Sequence, residues 1–98
     1  MNRADEKPVV GVLGGGQLGM MLLESSRYMD VAIKVMDPDA SSSAASICQH
    51  FVEGSFRSEY DVLAFGKNCD IITIEIEHVH VEALRQLKQQ GKRVYPNP

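Results

Sequence analysis

The sequence predicts a three-layer α/β domain, in which helices cover both faces of a parallel sheet of about four to five strands. Two observations lead to this prediction. Short apolar runs rich in β-branched residues alternate with segments of helical period along the 98 residues. That alternation is typical of right-handed crossovers between parallel strands. The first apolar run also leads directly into a glycine-rich turn, as in sheets that bind ligands beyond the carboxyl ends of their strands.

The strands are predicted where an apolar run is bounded by turn signals. The run DIITIEI is the strongest of them, and the run VAIKVM ends at Asp37-Pro38, because proline cannot continue a strand ladder. The predicted strands cover residues 9–13, 31–36, 51–52, 70–76 and 94–95.

The first helix is predicted from Gln17 to Met29. Its apolar period places Leu18, Met21, Leu22 and Ser25 on one face. Residues 41–47 are rich in serine and alanine and contain no glycine or proline, so they could form a short helix or a loop, and the helix is favoured.

A further helix is predicted over residues 58–68, where Ser58 is followed three residues later by Asp61 in the manner of a capping box. The last helix is predicted from Val81 to Gln90, with Gly91 as its C-cap signal. The side chains expected to face inward from this last helix are Ala83, Leu84 and Leu87.

Composition limits the classes of protein to consider. The chain is 44% apolar, enough for one modest core, and its length fits one domain. The net charge of -3 and scattered basic residues predict no nucleic-acid or membrane partner. No apolar run approaches the roughly 20 residues that span a bilayer. Residues 1–8 are expected to form a disordered tail ahead of a domain over 9–98.

The N-terminal residues are polar and lack the apolar segment of a signal peptide, so the sequence predicts a cytoplasmic protein. Cys48 and Cys69 are 21 residues apart and form no CxxC pair. In a reducing compartment they are expected to be free and mostly buried thiols.

The glycine-rich turn has the spacing G-x-G-x-x-G, supplied by Gly14, Gly16 and Gly19. It follows a predicted strand and opens a predicted helix, where unpaired N–H groups and the positive end of the helix dipole lie. Without Cβ atoms, a ligand approaches those amides closely and the turn adopts positive φ. The turn therefore predicts binding of a phosphorylated or nucleotide-like ligand, and Gly19 lets the helix lie close to the sheet.

Asp37 leaves the ligand open. It follows the glycine turn by about 20 residues, where a dinucleotide-binding domain places the carboxylate that binds ribose. An NAD-binding domain of an oxidoreductase is therefore one interpretation. The other is that Asp37 is a turn residue before Pro38.

A second group of polar residues lies at the end of the strongest strand. Thr73, Glu75 and Glu77 share one side of this strand, opposite the isoleucines. Carboxylates are costly on a covered parallel sheet unless they reach the ligand crevice or find partners. Glu75 is therefore expected to accept hydrogen bonds from ribose hydroxyls, and Glu77 to bind amides of an adjacent loop. The alternative is that both lie on a solvated strand end.

His78 and His80 lie two residues apart, but no further metal-binding residues are spaced helpfully near them. We therefore predict no metal site, and a local hydrogen-bonding role for His78. No nucleophile-and-base pair and no Walker-type lysine stands out, so the sequence contains no complete active site.

The segments GVLGGGQLGMMLLE, DPDASSSA and DIITIEIEHVHVEAL, together with VYPNP, resemble a known family. They are similar to the N-terminal, pre-ATP-grasp domain of 5-(carboxyamino)imidazole ribonucleotide synthetases, which also begins the fungal phosphoribosylaminoimidazole carboxylases. The similarity runs from Val9 to Pro98. GGGQLG alone is weak, whereas its combination with EIEHV about 55 residues later is quite specific.

The resemblance implies a Rossmann-like domain, which is the fold predicted above. It also implies the reaction of the longer parent enzyme. 5-Aminoimidazole ribonucleotide, ATP and bicarbonate would give the N-carboxylated ribonucleotide, ADP and phosphate, with bicarbonate activated as carboxyphosphate. ATP and Mg²⁺ would be bound by later domains, so this chain alone is expected to be inactive. The parent is expected to be a homodimer of purine biosynthesis.

The resemblance also implies which residues bind the ribonucleotide. Gln17 and Leu18 would contact it from the glycine turn, and Glu75 would bind its ribose. The full set of predicted binding residues is Gly15, Gly16, Gln17, Leu18 and Glu75, supported by Gly14, Gly19, Asp37, Glu77 and His78.

One position departs from the family pattern. Many members have arginine where this chain has Met20, which has no charge and is predicted to pack at the helix surface. The missing domains are expected to leave an apolar face uncovered, which favours self-association. The NAD-binding domain and a non-catalytic nucleotide-sensing module remain as alternatives.

Overall fold

The computed structural model describes residues 8–75 and 79–95 of the chain, and only the backbone of Leu18. Five strands form one parallel sheet in the order β3-β2-β1-β4-β5, which confirms the predicted α/β fold. The elements are β1 (Val9–Leu13), α1 (Gln17–Ser25), β2 (Ala32–Asp37), β3 (Phe51–Glu53), α2 (Glu59–Gly66), β4 (Ile71–Ile74), α3 (Val81–Gln89) and β5 (Arg93–Tyr95).

The central strand β1 sets the position of the crevice at the carboxyl edge of the sheet. Its last residue, Leu13, is in register with Met36 of β2 and with Ile74 of β4. Beyond Leu13, the amide of Gly14 donates to the Met36 carbonyl at 2.9 Å, and the amide of Glu75 donates to the Leu13 carbonyl at 3.0 Å. The three central strands therefore end level with each other, at the start of the glycine turn.

Two apolar layers lie on opposite faces of the sheet, as expected when both faces of a parallel sheet are covered. Adjacent residues of β1 divide between them, since Leu13 packs into one layer and Val12 into the other. The larger layer, against α2 and α3, contains Leu13, Met36, Val62, Phe65, Cys69, Ile72, Ala83, Leu84, Leu87 and Val94. The smaller layer contains Val12, Ile33, Val35, Ala44 and Cys48.

The first helix differs from the prediction in length. α1 ends at Ser25, and a 3-10 turn over Ser26–Tyr28 follows it. The predicted helix to Met29 was therefore too long, since the chain must turn back toward β2.

The predicted packing face of α1 was wrong at Met21 and Ser25, which are exposed, and right at Leu22. Met21 is 60% exposed, whereas Met20, Leu22 and Leu23 pack against the smaller apolar layer. The true face begins at the buried Gly19 and is one residue out of step with the predicted one. A buried glycine adds no apolar side chain to the periodic pattern, so the pattern indicated a face that begins at the wrong residue. Met20 is partly buried, as its predicted packing role requires.

The predicted helix within residues 41–47 does not form, and this part of the chain is a series of turns. The amides of Ala45, Ile47 and Cys48 donate to carbonyls three or four residues back, at 2.9–3.2 Å. Serine side chains compete for backbone groups and favour turns over regular helix. We call residues 39–48 the turn segment.

The two other helices begin with capping side chains. Ser58 Oγ accepts the Asp61 amide at 3.1 Å, as predicted, but Asp61 Oδ2 accepts the amide of Ser55 at 2.9 Å. The cap therefore ties the loop before α2 rather than closing a reciprocal box. His80 caps α3 through Nδ1, which accepts the Ala83 amide at 3.1 Å.

The remaining helix predictions are confirmed. Ala83, Leu84 and Leu87 are buried, and Gly91 has a φ of +96° after the end of α3. Cys48 and Cys69 are free and buried, as predicted. Within the described part of the chain, no helix is long and apolar enough to cross a bilayer.

Candidate ribonucleotide-binding site

The glycine turn crosses the carboxyl end of β1 and opens α1. Gly14 has a φ of +126°, a conformation that L side chains rarely adopt. Its amide remains bound to the Met36 carbonyl of β2. The turn is therefore anchored to the sheet at its first residue, and the residues that follow are directed across the crevice.

Gly15 is held on three sides by β2 and by the turn segment. Its amide donates to Asp37 Oδ2 at 2.8 Å, and its carbonyl accepts the Ala44 amide at 2.9 Å. A Cβ at this position would lie 2.4 Å from Ser42 Oγ and 3.3 Å from the Asp37 Cβ. No residue larger than glycine fits here without moving the turn segment.

Gly16 connects the turn to the end of β4. Its amide donates to Glu75 Oε2 at 3.1 Å, in a hydrogen bond that is open to solvent. Oε1 of the same carboxylate would lie 3.2 Å from a Cβ at Gly16. The Glu75 backbone is in turn bound to Leu13 of β1. The fold therefore brings together two residues that are 59 positions apart in the sequence.

Gly19 was predicted to let α1 lie close to the sheet, and its close neighbours are in the glycine turn and the turn segment. A Cβ there would be 3.0 Å from the Gly14 carbonyl oxygen and 3.5 Å from the Cβ of Ala44. Gly16 is the N-cap residue of α1 and has no side chain with which to cap the helix. The first turn of α1 also contains no acidic residue.

Asp37 uses both of its oxygens on the backbone of its own chain. Oδ2 accepts the Gly15 amide, and Oδ1 accepts the Asp39 amide at 2.8 Å. This is the turn-residue interpretation of Asp37, with an additional bond to the glycine turn. The arrangement does not favour the ribose contact that an NAD-binding domain would make with this residue.

The structure brings together most of the predicted site. Gly14, Gly15, Gly16, Asp37 and Glu75 meet at one end of the sheet. Gln17 is exposed as the first residue of α1. The side chain of Leu18 and the whole of Glu77 and His78 lie outside the described residues, so their roles stay predictions.

The turn segment is the part of the site that sequence reasoning missed. Ala44 and Ser42 contact Gly15 directly, and Ser42 Oγ is a buried oxygen with no hydrogen-bond partner among the described residues. Asp39 organises the start of the segment by accepting both the amide and the hydroxyl of Ser41, and these hydrogen bonds lower the pKa of Asp39. The signal for this contact was the run of small residues in DPDASSSA, which permits close packing against the turn.

The polar groups that meet at the candidate site are backbone amides and carboxylates. Across residues 8–75 and 79–95, no cluster of three or more His, Cys, Asp or Glu side chains is arranged to hold a metal ion. The carboxylates that meet here accept hydrogen bonds from glycine amides. A partly buried carboxylate beside a helix N-terminus is suited to accept hydroxyl groups of a ligand.

These features define a class: a parallel α/β domain in which a glycine turn is held against the acidic end of a neighbouring strand. The chain belongs to the ribonucleotide synthetase preATP-grasp domain family, which it matches over residues 8–98. This match confirms the resemblance seen in the sequence.

Individual relatives agree with the family assignment. The chain is 43% identical over 88 residues to a chloroplastic phosphoribosylaminoimidazole carboxylase of Vigna aconitifolia, covering 90% of this chain and 16% of that protein. It also resembles the N5-carboxyaminoimidazole ribonucleotide synthetase of Thermotoga maritima, with a TM-score of 0.84 and 28% identity, covering 93% of this chain and 25% of that one.

A third relative was solved with ligands. It is the N5-carboxyaminoimidazole synthase of Aspergillus clavatus in complex with ADP and 5-aminoimidazole ribonucleotide, with 41% identity and a TM-score of 0.77, covering 91% of this chain and 24% of that one. The chain thus spans about a sixth to a quarter of the length of these relatives.

Proposed function

We propose that this chain is the ribonucleotide-binding domain of an ATP-dependent ligase that carboxylates 5-aminoimidazole ribonucleotide with bicarbonate in purine biosynthesis. The observation that carries the proposal is the contact between Gly16 and Glu75, which places a carboxylate at the mouth of the glycine turn. Family membership supplies the substrate class, and the Aspergillus relative was solved with this ribonucleotide.

The charges at the turn favour one orientation of the ribonucleotide. The amides of Gly15 and Gly16 already donate to Asp37 and Glu75. A phosphate placed on those amides would lie beside two carboxylates, and like charges at such distances repel. A ribose hydroxyl is a neutral donor that a carboxylate accepts well. We therefore infer that the ribose, and not the phosphate, lies against the turn and Glu75, as the family resemblance implies.

The same charges argue against ATP at this site. A triphosphate and its Mg²⁺ need several donors and oxygen ligands arranged around the phosphates. Here two amides of the turn are engaged by carboxylates, and the described residues hold no metal cluster. We infer that ATP, Mg²⁺ and bicarbonate are bound by other parts of the parent protein. The role of this chain is then to hold the ribonucleotide with its amine directed toward those parts.

We further infer that the parent acts as a homodimer in the cytoplasm. The two free, buried thiols are consistent with a reducing compartment. The relative in Vigna is described as chloroplastic, so fractionation of the native source is the direct test of the compartment. Sedimentation of the full-length parent tests the dimer.

The proposal is tested by titrating 5-aminoimidazole ribonucleotide into the full-length parent by calorimetry. Glu75→Ala should weaken binding by about 1–3 kcal/mol, because hydrogen bonds to a charged acceptor are lost. Glu53→Gln is the matched control, since this carboxylate is exposed at the end of the edge strand β3. An unchanged affinity in Glu75→Ala would refute the assignment.

Two further measurements separate the alternatives. Tight binding of NAD without binding of the ribonucleotide would favour an oxidoreductase domain instead. The 98-residue chain alone should show no carboxylation with ATP and bicarbonate, and a measurable rate from it would contradict the division of roles proposed above.

A further inference from the structure

We propose that Asp37 is a positioning residue: its carboxylate fixes the glycine turn so that the Gly16 amide holds Glu75 in the orientation that receives ribose. This inference rests on the proposed function, because it concerns the same ribonucleotide site. Asp37 then acts on ribonucleotide binding through Glu75 and does not contact the nucleotide itself.

The first step is the double contact of Asp37. Its two oxygens accept the amides of Gly15 and Asp39, each at 2.8 Å. Asp37 is the last residue of β2, in register with Glu53 of β3, so its backbone is part of the sheet. A side chain anchored in this way transmits the position of the sheet to the glycine turn.

The second step is the peptide unit between Gly15 and Gly16. The carbonyl of Gly15 and the amide of Gly16 belong to one planar group. The carbonyl accepts the Ala44 amide at 2.9 Å on one side, and the amide donates to Glu75 Oε2 at 3.1 Å on the other. Once the two ends of Gly15 are fixed by Asp37 and Ala44, the direction of the Gly16 N–H is fixed as well.

The third step is the conformational freedom of the turn. Three successive glycines have no Cβ atoms to restrict φ and ψ, so the turn has no rigidity of its own. Its geometry must come from outside contacts. Of these, the bond from Gly15 to Asp37 is the shorter charged one, at 2.8 Å against 3.1 Å for the bond from Gly16 to Glu75. Removing the Asp37 carboxylate frees Gly15 to rotate, and the Gly16 amide then no longer points steadily at Glu75.

A double-mutant cycle in the full-length parent tests this relay, with ribonucleotide affinity measured by calorimetry. Asp37→Asn keeps one acceptor oxygen for two amides and should weaken binding about tenfold. In the Glu75→Ala background the same change should have no further effect, because the group through which Asp37 acts is absent. Glu24→Gln is the control, since that carboxylate is exposed in the last turn of α1, at the end of the helix away from the glycine turn.

Two outcomes would overturn the proposal. An equal loss of affinity from Asp37→Asn in both backgrounds would mean that Asp37 contacts the nucleotide itself or acts independently of Glu75. No loss in the wild-type background would mean that it has no role in binding. An unchanged affinity in Glu75→Ala would contradict the proposed function itself. The cycle distinguishes that result from one in which Glu75 binds the ribose but Asp37 does not position it.

A measurement without ligand keeps the relay testable in every case. In the 98-residue chain, Asp37→Asn should move the amide resonance of Gly16 toward its position in the Glu75→Ala variant, and Glu24→Gln should leave it in place. Asp37→Ser serves as a second variant, with a shorter side chain. An unmoved Gly16 resonance in a folded Asp37 variant would overturn the proposal.

Discussion

Gly66, the last residue of α2, lies directly against the side chain of Leu87 in α3. A Cβ on Gly66 would be 2.5 Å from Cδ1 and 2.9 Å from Cδ2 of Leu87, and 3.1 Å from Cδ1 of Ile72. Leu87 and Ile72 are both fully buried, so neither side chain has room to turn away. The two helices therefore approach each other at a point where only a hydrogen atom fits.

This contact predicts that Gly66→Ala lowers the free energy of unfolding. Alanine gains up to about 1 kcal/mol of helix propensity, but overpacking a closed core costs about 1–3 kcal/mol. The expected net loss is about 1 kcal/mol, measured by urea denaturation followed by circular dichroism.

The cause of this loss can be separated from other effects with a second variant. Leu87→Val should lower the free energy of unfolding of the unmodified chain. It should lower it by less in the Gly66→Ala background, because the smaller valine removes part of the steric overlap with the new methyl group. If the Gly66→Ala chain is more stable than the unmodified chain, the Leu87 side chain moves aside easily.

Gly91 provides the opposite case, in which the backbone alone requires glycine. Its φ is +96°, and a Cβ there would meet no atom of the described residues within 4 Å. Gly91→Ala should therefore destabilise the chain by about 1 kcal/mol through conformational strain only. A chemically synthesised chain with D-alanine at this position should recover that stability, because D residues favour positive φ. Equal midpoints of unfolding for the two alanine forms would argue against this reason.

The cap of α2 predicts a third effect on stability. Ser58 Oγ accepts the Asp61 amide, and Asp61 in turn holds the Ser55 amide. Ser58→Ala should cost about 1 kcal/mol, a typical value for the loss of an N-cap. Ser58→Asp should retain most of the stability, since its carboxylate accepts the same amide and favours a helix N-terminus. Thermal unfolding of the two variants measures the difference, and equal losses would mean that Ser58 does not act as a cap.

The order of strands and helices could be predicted because local signals and tertiary structure agree. β4 and α3 form within a residue or two of their predicted bounds, and both have an apolar period that matches one buried face. The predictions failed where a small residue decided the packing. Gly19 lies on the buried face of α1 but adds no apolar side chain to the sequence pattern. The serines of the turn segment favour turns, although the segment contains no glycine or proline.

The sequence identified residues that the fold brings together at one end of the sheet, but it did not predict the hydrogen bonds between them. Gly16 was identified from the glycine-rich turn and Glu75 from its place at a strand end, and the topology brings the Gly16 amide nitrogen to 3.1 Å from Glu75 Oε2. The bond from Asp37 to Gly15 was not predicted, because a carboxylate about 20 residues after a glycine turn has the same sequence signal whether it binds ribose or the turn. Only the direction of its side chain distinguishes the two, and that direction depends on the packing of β2 beside β1.

The buried thiol of Cys69 gives the chain a predictable response to alkaline pH. Burial raises the pKa of this thiol from 9.0 to about 11, against the opposing charges of Lys34 and Lys92. The thiol ionises at lower pH in the unfolded chain than in the folded one, so unfolding releases a proton between these values. The stability is therefore fully present below about pH 9 and is lost progressively as the pH rises toward about 11.

Urea denaturation of the 98-residue chain at a series of pH values between 8 and 11 measures this loss. Cys69→Ser is the matched control, because its hydroxyl does not ionise in this range and can still donate to the Phe65 carbonyl, as the thiol does at 3.4 Å. The Cys69→Ser variant should be less stable than the unmodified chain at pH 8. It should lose less stability than the unmodified chain as the pH rises. Cys69 of the folded, unmodified chain should also react slowly with a thiol reagent at pH 8, and it should react faster once urea exposes it. Parallel pH profiles for the two proteins would show that another group causes the alkaline loss.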